Sequence, residues 1–92
     1  MIIENKNITN QEVLSRLRWA ARRGMLELDL ILAPYVEYVY LNAPQPDKKA
    51  FHELLKCEDQ DLFNWFIKSK LADVEHQNMV EKVLVVKKQT AQ

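Results

Sequence analysis

Nucleophilic catalysis needs a cysteine or serine beside a histidine, with an acid to orient the ring. Here the candidates are Cys57, Ser15, Ser69, His52 and His76, and no triad spacing joins them. Cys57 and His52 are five residues apart, neither one helical turn nor two, and one further histidine does not complete a tetrahedral zinc set. Cys57 therefore reads as a small buried hydrophobe, and His52 and His76 as exposed helix residues. Gly24 is the only glycine, so neither a phosphate-cradling loop nor a dinucleotide fingerprint is available. No catalytic, metal or cofactor site is expected.

The residues that stand out are basic. Arg16, Arg18, Arg22 and Arg23 fall within eight positions, with no acid between Glu12 and Glu27. The plainer reading is a solvated helix face with cations favourably placed at a helix C-terminus. The functional reading is a one-sided patch that docks a phosphate or an acidic partner. Gly24, Glu27 and Asp29 follow directly. If Gly24 begins a helix, Glu27 stands at the third helical position, where a carboxylate can bond free amides. A glycine corner also lets another backbone approach closely, with Arg23 and Glu27 as a donor and acceptor on either side. Trp19 and Trp65 could each edge a contact surface.

These residues must be positioned by helices. Thr9-Asn10-Gln11-Glu12 has the form of a capping box, and Val13, Leu14, Leu17, Ala20 and Ala21 recur at helical spacing up to Arg22-Arg23-Gly24. A second helix follows through Met25, Leu28, Ile31 or Leu32, Tyr35 and Val39 to about Tyr40, with Pro34 expected to kink or split it. Residues 42–47 form a loop, and Pro46 opens a third helix with Phe51, Leu54 and Leu55 inward. Asp59 is expected to cap a fourth helix carrying Leu62, Phe63, Trp65, Phe66 and Ile67. Asp73 is expected to cap a fifth, with Val74, Met79, Val80, Val83, Leu84 and Val86 inward. The expected fold is all-α, a compact bundle of about five short helices, with a strand over Lys82 to Val86 as the lesser alternative.

Composition agrees. The 92 residues suit one domain, with residues 1–9 and 87–92 as flexible ends; 48% are hydrophobic and 28% charged, enough for both a core and a polar surface. A chain this short buries only about 60% of its unfolded surface, which leaves little volume for a substrate cavity. The 13 basic and 13 acidic residues cancel, so no overall field attracts nucleic acid or an anionic membrane. The longest uncharged apolar stretch in the body of the chain, Leu30 to Val36, is far below the roughly 20 residues of a membrane span. A single cysteine forms no internal disulfide, and the start of the chain reads as neither signal nor transit peptide, so a bacterial cytoplasm is the expected location.

Taken together, Arg16-Leu17-Arg18-Trp19-Ala20-Ala21-Arg22-Arg23-Gly24-Met25-Leu26-Glu27-Leu28-Asp29 closely resembles the signature of the succinate dehydrogenase FAD assembly factor family, known as SdhE or YgfY, with its Arg-Gly-x-x-Glu motif at Arg23, Gly24 and Glu27. The likeness continues through Phe51, Leu54, Leu55 and Asp59-x-Asp61-Leu62-Phe63-Asn64-Trp65, in order and spacing, to about Val80. Tyr35 and Phe66 stand where the family often has Phe and Leu. The resemblance implies a five-helix, non-catalytic helper, monomeric by default. It would bind the flavoprotein subunit of succinate dehydrogenase, and of fumarate reductase where present, and promote bonding of a flavoprotein histidine to FAD. It implies no stably bound cofactor, and a contact through Arg23, Gly24 and Glu27, with Arg22, Asp29 and Trp19 as neighbours. Competing expectations are an antitoxin-like or cytoskeleton-associated interaction module and a direct carrier of FAD.

Overall fold

The computed structural model describes residues 9–90, which form five α-helices joined by short connections. They are α1 (Asn10–Ala21), α2 (Leu26–Tyr38), α3 (Gln45–Leu55), α4 (Asp59–Phe66) and α5 (Val74–Thr90); a single 3-10 turn, Tyr40–Asn42, follows α2. No strand occurs among the described residues, and Lys82 to Val86 lie inside α5. That helix runs on to Thr90, so residues 87–90 are ordered into its last turn rather than trailing; the expected flexible ends at 1–8 and 91–92 lie outside the described residues.

Local chemistry explains the helix starts. Thr9 Oγ1 accepts from the Glu12 amide at 3.1 Å and Glu12 Oε1 accepts from the Thr9 amide at 3.1 Å, the reciprocal box expected from the sequence. Asp59 does not cap α4. Glu58 occupies the cap position without a side-chain bond, and Asp59 and Asp61 sit in the first turn, where the helix dipole favours carboxylates. Ahead of α5, the Asp73 carbonyl accepts from the His76 and Gln77 amides, and Gln77 Oε1 reaches back to the Ala72 amide at 2.7 Å. Pro34 does not split α2. Its ring leaves the Leu30 carbonyl without a helical donor, but Leu30 faces solvent, where water can take that role.

One buried cluster draws on every helix: Leu17 and Ala21 from α1; Leu28, Leu32, Tyr35 and Val36 from α2; Phe51 and Leu54 from α3; Leu62, Trp65 and Phe66 from α4; Val80 and Val83 from α5. Tyr35 stacks on Phe51 with ring centroids 4.8 Å apart. Phe51 is fully buried, so truncation to alanine would cost about 3–5 kcal/mol. The inward stripe expected of α5 holds except at its first residue: Val74 is 92% exposed, because the helix has only just begun there. Ile67, counted with the apolar run of α4, also lies at the surface beyond the helix end. Lys82 Nζ pairs with Asp47 Oδ2 at 2.8 Å and so ties α5 to the first turn of α3.

Candidate functional site

The corner between α1 and α2 is built by one side chain. After Ala21 the backbone of Arg22 turns extended, and Gly24 adopts φ +79°, the left-handed region that glycine enters without a Cβ penalty. The Arg23 amide donates to Asp29 Oδ1 at 2.8 Å, which locks the corner onto the first turn of α2. The Arg23 guanidinium then folds inward. Nε donates to the Ala21 carbonyl at 3.3 Å, Nη1 to the Leu55 carbonyl at 3.1 Å, and Nη2 to the Ala20 carbonyl; Asp59 Oδ1 lies 3.6 Å from Nη1. These acceptors include the otherwise orphaned carbonyls at the C-terminal ends of α1 and α3, which a fork-shaped cation suits well. The Arg23 side chain is only 14% exposed, so it is a bracket inside the fold rather than a free donor beside the glycine.

Gly24 itself is open to solvent, and a Cβ built on it would meet nothing within 4 Å. Glu27 is exposed beside it. Because α2 starts at Leu26, Glu27 is the second helical residue rather than the third, and Met25 occupies the cap position without a side-chain bond. Among the expected contact residues the structure therefore brings Gly24 and Glu27 to one open corner. Arg22 and Trp19 are also exposed there, while Arg23 and Asp29 are spent on holding the corner's shape.

The four-arginine patch does not form as such. Arg18 makes a two-pronged pair with Glu37, Nη2 to Oε1 at 2.9 Å and Nε to Oε2, and this bond holds the Glu37 carboxyl below its ordinary range. Arg16 and Arg22 have no carboxylate partner among the described residues; Arg22 instead lies over the Trp19 ring, 5.8 Å from its centroid. The two tryptophans separate: Trp65 is core and Trp19 is 75% exposed. Trp19 walls a groove of about 420 Å³ between α1 and α2, with Ala21, Ala33 and Val36 inside and Arg22, Asp29 and the Arg18–Glu37 pair around the edge. Sequence reading missed this groove. The available signal was Trp19, read from the sequence as a possible edge of a contact surface.

Cys57 and His76 meet across the fold, Sγ to Nε2 at 3.3 Å, and His76 is half-buried against Trp65 rather than exposed as expected. Burial pushes the Cys57 thiol up from its ordinary value, with Asp61, Asp73 and Glu75 adding to the rise and Arg23 opposing it. A thiol so protected is not an activated nucleophile. His52 is exposed but engaged, its Nε2 2.7 Å from Tyr40 Oη. No cluster of three or more His, Cys, Asp or Glu side chains suited to a metal occurs among the described residues.

Residues 15–87, from the middle of α1 almost to the end of α5, match the profile of a family described as flavinator of succinate dehydrogenase (Sdh5). The chain belongs to this family. It is 39% identical over 88 residues to the FAD assembly factor SdhE of Francisella tularensis, covering 96% of this chain and 92% of that protein. It is 44% identical over 78 residues to the SdhE of Pseudomonas putida, covering 84% and 93%. With the SdhE of Shewanella oneidensis it shares 46% over 71 residues, 76% of this chain and 87% of that one. The Sdh5 match contains the whole Gly24 corner and both walls of the groove. No described helix is long and apolar enough to cross a membrane.

Proposed function

We propose that the chain is an assembly factor that binds the flavoprotein subunit of succinate dehydrogenase, and of fumarate reductase where present, and promotes covalent attachment of FAD. The observation that carries this reading is the Gly24 corner: the family's Arg-Gly-x-x-Glu stretch lies at an open left-handed turn that an internal arginine holds rigid. A rigid corner loses little freedom on docking, so its contacts count fully toward affinity.

The chain supplies geometry and no reacting group. Gly24 lets the partner backbone come close, and Glu27 offers an acceptor at the dipole-favoured start of α2. Binding one arrangement of the flavoprotein in preference to others shifts its population toward that arrangement, about tenfold for each 1.4 kcal/mol of preference. In the favoured arrangement the flavoprotein's own histidine meets its flavin. FAD belongs to the flavoprotein and is not stably held here, which suits a chain with one glycine and a groove open to solvent. The helper acts as a monomer in the bacterial cytoplasm.

The test is complementation. In a strain lacking its own factor, this chain should restore covalent flavin on the flavoprotein, read as in-gel flavin fluorescence, and should co-purify with that subunit. A fluorescence level no higher than the empty-vector control would contradict the reading.

A further inference from the structure

Three of the large apolar residues left at the surface, Trp19, Leu26 at 68% exposure and Leu30 at 54%, stand on the two helices that flank the Gly24 corner. Leu26, Leu30 and Ala33 follow one another at helical spacing along α2, and Ala33 lines the groove together with Trp19 of α1. The floor is small and apolar. Of the charged groups at its edge, Arg18 and Glu37 satisfy one another, Asp29 accepts the Arg23 amide, and Arg22 is the cation with no carboxylate partner among the described residues. An apolar slot beside an arginine whose guanidinium has no carboxylate partner is complementary to an apolar side chain next to a carboxylate.

We propose that the groove between α1 and α2 is a second contact for the flavoprotein, which inserts an apolar side chain between Trp19 and Ala33 and places an adjacent Asp or Glu against Arg22. The proposal rests on the function proposed above and extends the docking surface along α2, well past the motif residues. Its contributions are of different kinds. Desolvated aromatic packing against Trp19 supplies affinity, and the rim arginine supplies orientation and a salt-dependent association rate. Leu26 and Leu30 share the Ala33 face of α2 by their spacing, along the length of helix between the slot and the glycine corner.

The experiment is calorimetric titration of the purified flavoprotein subunit with the wild-type chain, Ala33→Trp and Arg22→Glu. The first variant fills the slot and the second reverses the rim charge; both positions are exposed, and circular dichroism checks that each variant is folded. Each should raise Kd by about tenfold or more, and Arg22→Glu should also flatten the dependence of affinity on salt. Wild-type affinity in either folded variant would overturn the proposal while leaving the Gly24 corner intact. Absence of binding by the wild-type chain would instead overturn the function on which the proposal rests. A concentration-dependent dimer of this chain that Ala33→Trp abolishes would assign the groove to a second copy, and that too would overturn it.

Discussion

The Nη1 of Arg23 donates to the carbonyl of Leu55 at 3.1 Å, joining the corner after α1 to the C-terminal end of α3 across 32 residues of sequence. The first residue of the Arg-Gly-x-x-Glu motif is thus an internal bracket rather than an exposed side chain. Arg23→Ala should lower stability by about 2 kcal/mol, because it strands three carbonyls and the charge-assisted bonds that satisfied them. Arg23→Lys should recover only part, since an ammonium cannot reproduce the fork. Urea unfolding of the three proteins checks this, with the midpoints ordered wild type, Lys, Ala.

At Gly24 the cost comes from the backbone. Nothing within 4 Å obstructs a Cβ, but φ +79° is strained for other residues, so Gly24→Ala should cost about 1 kcal/mol and Gly24→Asn less, asparagine being the better tolerated in this region. Thermal melts of both variants test the ordering.

Tyr35 carries a buried hydroxyl with no hydrogen-bond partner among the described residues, and burial, followed by Asp47 and Tyr40, holds its pKa above the ordinary value. Tyr35→Phe removes an unsatisfied group while keeping the ring stacked on Phe51. Stability should stay level or rise by up to about 1 kcal/mol in urea unfolding.

The Arg18–Glu37 pair sets a pH dependence of known sign. Its hydrogen bond depresses the Glu37 pKa below the ordinary 4.5. The contribution is therefore complete above that value and fades as pH falls through the lower folded one. Both side chains are well exposed, so the effect is small. Melting temperatures of wild type and Glu37→Gln should differ slightly at pH 7 and converge as pH falls through the depressed folded pKa.

Much of the fold could be read from local pattern. The Thr9–Glu12 box and the inward stripes of α1, α3 and α5, apart from the exposed Ala20 and Val74, depend on residues close in sequence and appear; the loop expected at 42–47 shrinks to residues 43 and 44, because Tyr40–Asn42 closes a 3-10 turn and α3 starts at Gln45, one residue before Pro46. The turn at the corner also followed from its single glycine, which takes φ +79°. Arg23's inward turn could not be read, because its acceptors are backbone carbonyls at residues 20, 21 and 55, which leave no trace in side-chain pattern. The Cys57–His76 contact and the Arg18–Glu37 pair each span 19 residues and arise only when helices pack. Asp59 was misplaced by one residue because a first-turn carboxylate and a capping one look alike in sequence.

The central claim is that the open Gly24–Glu27 corner engages the flavoprotein. The most direct measurement is covalent flavin per flavoprotein, by in-gel fluorescence, in cells whose only assembly factor is the wild-type chain, Gly24→Arg or Glu27→Ala, with each variant shown to be present and folded. Both variants should reduce the signal by about tenfold or more, as expected when a central contact is lost. Wild-type fluorescence from either folded variant would contradict the claim.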